Sequence, residues 1–273
     1  MTIKTNEIIP TGFPMLDSLF GGLKPAQLVL LASRPSVGKT SFALSLAKNI
    51  TVENNIPTAY FSLEEGAERI ARKFLCQVED ITLEQAFGAQ KCDMNMEELN
   101  EKFSSIPLYI DDTPAIKPDE ILAKSERLVK ESGVKVIIVD YVQLVSIGGY
   151  KKEMTWRKKV GKIVQKLKQI SVQLNVPIIG LCQVAKKINY SSPEFPPNLS
   201  ELSYLAPEII EQYVDMAWLL VRCSINGKVD YNKLKSELIV VYNSHSEHHP
   251  VIELNFDADY GRFIDLKEDI EES

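Results

Sequence analysis

The hydrophobic and polar positions of this chain follow two alternating patterns. Short apolar runs recur between turn-forming residues, as is typical of buried strands. Longer stretches between them repeat apolar residues every three or four positions, as amphipathic helices do. This alternation predicts an α/β fold with a mainly parallel central sheet and helices on both faces. The predicted strands cover 27–33, 58–62, 107–110, 135–140, 177–182 and 216–221, and the predicted helices cover 41–50, 66–77, 117–131 and 155–174.

The last third of the chain has a different pattern. Strand-like runs at 237–242, 250–256 and 262–266 lie close together, with turns between them. Such spacing predicts antiparallel strands that extend one edge of the sheet. The proline-containing stretch 189–199 is short enough to be a surface loop rather than a linker. We therefore predict one domain over 1–273, with an opening segment 1–20, a core 21–222 and C-terminal antiparallel strands 235–266.

Composition narrows the class of protein. The chain has 273 residues, 45% hydrophobic and 25% charged, which is typical of a globular domain that needs no disulfides. Its four cysteines form no C-x-x-C pair and are predicted to be reduced thiols in the cytoplasm. No apolar run approaches the about 18 residues that cross a bilayer, so we expect no membrane contact. The net charge of −6 argues against coating nucleic acid by bulk electrostatics but allows a local basic stripe.

A phosphate-binding loop is predicted between the first strand and the first helix. Backbone N–H groups at such a junction can cradle phosphates, while Lys39 reaches the outer phosphates and the Thr40 hydroxyl binds magnesium. The strict pattern G-x-x-x-x-G-K-[ST] has glycine where this chain has Ser33. We predict that the cofactors are ATP and Mg²⁺. The predicted nucleotide-contacting residues are Ser33, Arg34, Pro35, Ser36, Val37, Gly38, Lys39, Thr40 and Ser41, together with Arg222.

Polar residues end three of the other predicted strands. Asp140 can hold magnesium together with Thr40, although an aspartate in this place can also cap a turn. Glu64 and Glu65 follow the second strand, and either can activate water or simply be a solvated charge at a helix start. Gln183 can sense the γ-phosphate or merely terminate its strand. The pattern alone leaves these alternatives open.

Taken together, these segments resemble the C-terminal, RecA-like ATPase domain of DnaB-type replicative DNA helicases over nearly the whole chain. The resemblance implies a RecA-like P-loop fold and an ATP-hydrolysing DNA motor, with Glu64 and Gln183 as catalytic residues and with Thr40 and Asp140 on magnesium. It also implies hexameric rings with single-stranded DNA threaded through the centre. That family tolerates a residue other than glycine at position 33. The matching segments are Thr11–Asp17 with Gly21–Leu23, Ala32–Thr40, Phe61–Glu64, Val139–Leu144 and Asn175–Gln183.

The segment that follows the strand 237–242 departs from the family pattern, as does the segment 199–202. In such rings a neighbouring subunit completes the ATP site with basic residues that follow the strand 237–242, but this chain has Asn-Ser-His-Ser-Glu at 243–247. A cationic finger can contribute about 10³-fold or more to the rate. His245 is shorter and mostly neutral at pH 7. Asn243 and His245 therefore predict attenuated hydrolysis. Because the chain starts almost at the motor motifs, we also expect weakened self-association into a ring.

Basic residues cluster after the predicted loop 147–149. Lys151, Lys152, Arg157 and Lys158 are candidates for contact with a DNA backbone beside the pore of a RecA-like motor. The alternative is that the helix 155–174 buries its apolar face and that its lysines are simply solvated.

The sequence is compatible with three functions. The first is an ATP-driven motor of the replicative helicase class, which acts with other replication proteins. The second is a catalytically weak helicase paralogue that acts as a nucleotide-binding regulatory or assembly protein in DNA replication or repair. The third is a KaiC- or RadA-like ATPase with the same fold. The missing basic finger favours the second function, whereas retention of both Glu64 and Asp140 favours the motor.

Overall fold

The chain folds around one nine-stranded sheet with the order β3-β2-β4-β5-β1-β6-β7-β8-β9. The computed structural model describes residues 8–88, 96–148, 155–184, 206–222 and 235–265. Strands β1 to β6 pair in parallel, and β7 to β9 extend the β6 edge in antiparallel fashion, which confirms the predicted arrangement. The strands are β1 (Leu28–Ser33), β2 (Thr58–Ser62), β3 (Leu108–Asp111), β4 (Val136–Asp140), β5 (Ile178–Gln183), β6 (Met216–Arg222), β7 (Lys235–Asn243), β8 (Val251–Asp257) and β9 (Arg262–Asp265).

The helices include four that the sequence pattern predicted and four that it missed. Helices α2, α3, α6 and α7 correspond to predicted stretches, although α2 begins two residues earlier and continues as a π-helical turn at Asn49–Glu53. Helices α1, α4, α5 and α8 are short, so their apolar repeat is too brief to be recognised. The helices are α1 (Pro14–Phe20), α2 (Lys39–Lys48), α3 (Ala67–Val78), α4 (Leu83–Phe87), α5 (Met96–Ser104), α6 (Pro118–Ser132), α7 (Trp156–Leu174) and α8 (Pro207–Tyr213).

Two apolar layers cover the two faces of the sheet. One contains Ile163 and Leu167 of α7, and the other contains Phe42 of α2 and Phe74 of α3. Because both faces are covered, all six residues of β1 are buried, which explains its continuous apolar run. Within the described ranges, no helix has the length and apolar character needed to span a membrane.

The sheet order brings the predicted site residues to one edge. In an open parallel sheet, ligands bind outside the carboxyl ends of the strands. The register pairs Ser33, the last residue of β1, with Gln183, the last residue of β5. It also pairs Ser62 at the end of β2 with Asp140 at the end of β4. The loops that follow these strands therefore lie next to one another.

Candidate nucleotide-binding site

The loop between β1 and α2 has a backbone that only certain residues can adopt. Ser36 and Gly38 have positive φ angles of 63° and 107°. The φ of Gly38 favours glycine, and a Cβ atom there would also crowd its neighbours, at 3.2 Å from the Phe263 ring and 3.4 Å from a guanidinium nitrogen of Arg222. Ser33 is only 1% exposed, and its hydroxyl donates to the Arg34 carbonyl at 3.0 Å. Serine therefore fits the position where the strict pattern has glycine.

Three side chains from distant parts of the chain meet on the magnesium side of this loop. The Thr40 hydroxyl donates to Oδ2 of Asp140 at 2.7 Å, and the Tyr60 hydroxyl donates to the same oxygen at 2.8 Å. Asp140 is 2% exposed, and its other oxygen, Oδ1, is buried without a hydrogen bond in the part of the chain that the structure describes. A buried carboxylate oxygen beside a threonine hydroxyl suits the all-oxygen coordination of Mg²⁺. The residues present thus fit the ion.

Tyr60 was not among the residues singled out from the sequence. Its ring is fully buried. Tyr60 pairs with Ile138 of β4, and Asp140 lies two residues further along that strand. Burial, and then the charge of Asp140, raise the pKa of the Tyr60 phenol well above its ordinary value, so the hydroxyl stays protonated and donates. A tyrosine inside an apolar strand usually has a partner for its hydroxyl, which was the available signal.

Replacing Tyr60 by phenylalanine should raise the Mg²⁺ concentration needed for half-maximal ATP binding by about 10- to 100-fold, because residues that orient a metal ligand have effects of this size. The packing of the ring is kept, so the expected loss comes from Asp140 alone. Magnesium titration of nucleotide binding measures it. Tyr109→Phe, at a half-exposed tyrosine of β3, is the matched control. An unchanged magnesium requirement in Tyr60→Phe would refute the positioning role.

Lys39 begins α2, and its ammonium nitrogen lies 5.1 Å from the centre of the Tyr141 ring. Burial, and then the charges of Glu64 and Asp140, raise the pKa of Tyr141. Tyr141 therefore lies among the predicted phosphate-binding, catalytic and magnesium-binding residues. Its aromatic face provides a cation–π contact for Lys39.

The two neighbouring glutamates have different surroundings. Both carboxylate oxygens of Glu65 accept hydrogen bonds from Lys73 Nζ, at 2.5 and 2.7 Å, and Arg69 Nε adds a third contact at 2.6 Å. Glu64 is exposed and forms no ion pair among the described residues. The structure thus leaves Glu64 as the carboxylate that is open to a water molecule.

Gln183 is connected to the segment that follows Asp140. The Gln143 side chain donates to the Gln183 carbonyl at 2.8 Å and accepts from the Gln183 backbone N–H at 3.3 Å. Gln143 is 4% exposed and lies in a short helical turn, Val142–Leu144. The predicted sensor residue and the predicted magnesium ligand are therefore linked through one buried amide.

Arg222, at the end of β6, lies against the phosphate loop. Its guanidinium carbon is 3.9 Å from the centre of the Phe256 ring, close enough for stacking. A Cβ atom at Gly38 would lie 3.4 Å from this guanidinium group, which therefore lies beside the loop. Phe256 and Phe263, which shape this side of the loop, were not predicted. Of the other loop residues, Arg34, Pro35 and Ser36 are exposed, and Val37, Lys39, Thr40 and Ser41 are partly exposed.

The candidate DNA-binding residues and the turn after β7 remain to be placed in the structure. Arg157 and Lys158 are exposed in the first turn of α7, whereas Lys151, Lys152 and the loop 189–199 lie outside the described residues. The turn at 243–249, where the family has its basic finger, lies within the described residues. Asn243 Oδ1 accepts from the His245 backbone N–H at 3.0 Å, and the His245 side chain is exposed. Residues 243–249 contain neither lysine nor arginine.

Comparison with known proteins gives one consistent family. The model of the DnaB-like helicase C terminal domain matches residues 8–265. The replicative DNA helicase DnaB of Geobacillus stearothermophilus is 33% identical over 270 residues, covering 97% of this chain and 58% of that protein. The replicative DNA helicase DnaC of Bacillus subtilis (strain 168) is 34% identical over 264 residues, covering 95% and 57%. The chain thus spans little more than half the length of these relatives.

Two solved structures share the fold. One, described as an ATPase domain, superposes with a TM-score of 0.82 at 26% identity, covering 96% of this chain and 92% of that chain. The other, a DnaB-like replicative helicase described with its interactions with primase, superposes with a TM-score of 0.81 at 26% identity, covering 97% and 63%. The RecA-like fold and the resemblance inferred from the motifs are thereby confirmed. The chain belongs to the family of DnaB-like helicase C-terminal domains.

Proposed function

We propose that this chain binds ATP and Mg²⁺ at the loop Ser33–Ser41 and hydrolyses ATP to drive movement along single-stranded DNA, as the motor of a replicative helicase. The observation that carries the proposal is the meeting of Thr40 and Asp140, with one Asp140 oxygen left for a metal. Relatives named replicative DNA helicases support the choice of DNA as the track.

Each predicted residue has a role in this reaction. The loop amides and Lys39 bind the β- and γ-phosphates, and Thr40 and Asp140 hold Mg²⁺, which neutralises phosphate charge. Glu64 accepts a proton from water while the water oxygen bonds to the γ-phosphorus. The bond from that phosphorus to the β–γ bridging oxygen breaks, giving ADP and phosphate. Gln183 contacts the γ-phosphate, and Arg222, stacked on Phe256, contacts the nucleotide beside the loop.

The partners follow from the same proposal. We infer a ring of copies around single-stranded DNA, because the family resemblance implies ATP bound between subunits. Other replication proteins are the expected partners, and the cytoplasm is the expected location for such a motor.

Steady-state ATP hydrolysis with and without single-stranded DNA tests the proposal. Stimulation of ADP release by DNA is the expected result. Tight ATP binding with negligible turnover in both conditions would contradict the motor and leave the regulatory function.

A second function, a catalytically weak paralogue that regulates or assembles replication proteins, is favoured by the turn after β7. A finger residue acts by placing positive charge beside the transferred phosphoryl group. In this turn Asn243 is occupied in a hydrogen bond to the backbone of His245, and no permanently charged cation is present between 243 and 249. ATP binding would then persist with slow hydrolysis.

Replacing His245 by arginine should accelerate hydrolysis if this turn serves a neighbouring copy. We expect at least about a tenfold gain in kcat, toward the about 10³-fold that a well-placed arginine contributes. Turnover is measured at protein concentrations where sedimentation shows self-association. His248→Arg, at an exposed position of the same turn, is the control. Equal rates for the two variants and the unaltered chain would refute the attenuation.

A further inference from the structure

Helix α7 carries charge of only one sign. Its sequence contains no aspartate or glutamate, although the chain as a whole has a net charge of −6. One of its lysines, Lys168, is bound to Asp215 at 2.7 Å. Three others recur every fourth residue, which corresponds to about 6 Å along the helix axis per step. These three, Lys158, Lys162 and Lys166, are exposed and form a basic stripe.

Trp156, the first residue of α7, is exposed where a buried residue is expected. Helical spacing places it on the same side as Val160, Ile163 and Leu167, which are fully buried. Trp156 itself is 45% exposed. The Lys159 ammonium lies 4.9 Å from its ring centre. An exposed aromatic ring with one lysine ammonium against it thus lies at the end of α7 from which the basic stripe runs.

We propose that Trp156 stacks on an unpaired base of single-stranded DNA whose phosphates follow the basic stripe. The inference rests on the proposed function as a DNA motor. It names Trp156 as the residue that distinguishes single-stranded from duplex DNA. Positive charge binds single-stranded and duplex DNA alike, whereas stacking on an indole ring requires a base that is free of its partner. Because every base has an aromatic face, the contact tolerates any sequence.

The location of Trp156 connects this contact to ATP. Lys168, near the other end of α7, donates to the Ala26 carbonyl just before β1, so Trp156 at the start of the helix lies toward the carboxyl edge of the sheet. The turn that follows β4 lies at the same edge, and its Gln143 is hydrogen-bonded to the backbone of Gln183. A base held by Trp156 would therefore lie at the same edge of the sheet as the residues proposed to bind magnesium and sense phosphate.

Intrinsic fluorescence tests the stacking directly. The chain has two tryptophans, and the second, Trp218, is 1% exposed in the core. Oligothymidylate should quench the emission of Trp156. An abasic oligonucleotide of equal length, which has the same phosphates without bases, should bind more weakly and leave the emission unquenched. Trp156→Phe retains only the Trp218 emission, which should not respond to DNA.

Affinities measured by anisotropy complete the test. Trp156→Leu should weaken oligothymidylate binding by about tenfold without changing abasic binding, whereas Trp156→Phe, which keeps an aromatic face, should recover most of the affinity. Lys162→Ala should weaken both and reduce the salt dependence by about one counterion. If oligothymidylate binds the unaltered chain without quenching, or Trp156→Leu binds it equally well, the stacking is overturned while the DNA motor stands. If neither oligonucleotide binds and DNA does not stimulate hydrolysis, the proposed function fails as well.

Discussion

Replacing Lys39 by alanine will lower the turnover of ATP by about 10²-fold or more, because the ammonium group is the charge that the loop supplies to the outer phosphates. Lys39 is the first residue of α2, and its ammonium group lies over the face of the Tyr141 ring. Alanine is a good helix former at this position, so the fold should remain. Nucleotide affinity and steady-state hydrolysis both measure the loss.

The control for this variant is on the same helix. Lys48 lies in the last turn of α2 and pairs with Glu53 at 3.3 Å on the surface. A pair of this kind contributes at most about 1 kcal/mol to stability. Lys48→Ala should therefore bind and hydrolyse ATP normally. ATP turnover that survives Lys39→Ala would show that the phosphates bind elsewhere.

Replacing Glu64 by glutamine will separate ATP binding from ATP hydrolysis. The amide has nearly the same shape but cannot accept the proton of the attacking water, so we expect kcat to fall by about 10² to 10⁴-fold. ATP affinity should stay nearly constant, because Glu64 is exposed and is not part of the phosphate loop. Single-turnover hydrolysis measures the rate of the chemical step, and equilibrium nucleotide binding measures the affinity for ATP.

The neighbouring carboxylate provides a matched comparison. Glu65→Gln removes the charge that Lys73 and Arg69 contact, so the melting temperature should fall while most of the turnover is retained. Glu64→Gln should therefore lose turnover, whereas the neighbouring change Glu65→Gln should mainly lower the melting temperature. A loss of hydrolysis in Glu65→Gln, with normal hydrolysis in Glu64→Gln, would reverse the assignment of the catalytic glutamate.

The sequence could distinguish strands from most helices but not every helix. Runs such as Val136–Asp140 are buried on both faces, so they stand out without any knowledge of their neighbours. Helices α1, α4 and α8 have two turns or fewer. Helices this short owe their stability to tertiary contacts rather than to an amphipathic repeat, and a local pattern therefore does not reveal them.

Within the site, too, local sequence predicts some features and tertiary contacts decide others. Local sequence predicted the phosphate loop, since its glycine, lysine and threonine are adjacent and lie between a strand and a helix. The local pattern left Glu64 and Glu65 open, and only the family resemblance favoured Glu64, because the physical difference between them depends on Lys73 and Arg69, which reach back from α3. A solvated charge and an ion-paired charge look alike in sequence.

The sequence by itself determined the kind of fold and the family and predicted the phosphate loop, because apolar periodicity and contiguous motifs are local properties of the chain. Only the tertiary structure decided which side chains meet. Thr40 and Tyr60 both donate to Asp140 across separations of 100 and 80 residues. Such contacts are set by the order and register of β1, β2 and β4, which depend on how two apolar layers pack over the whole sheet.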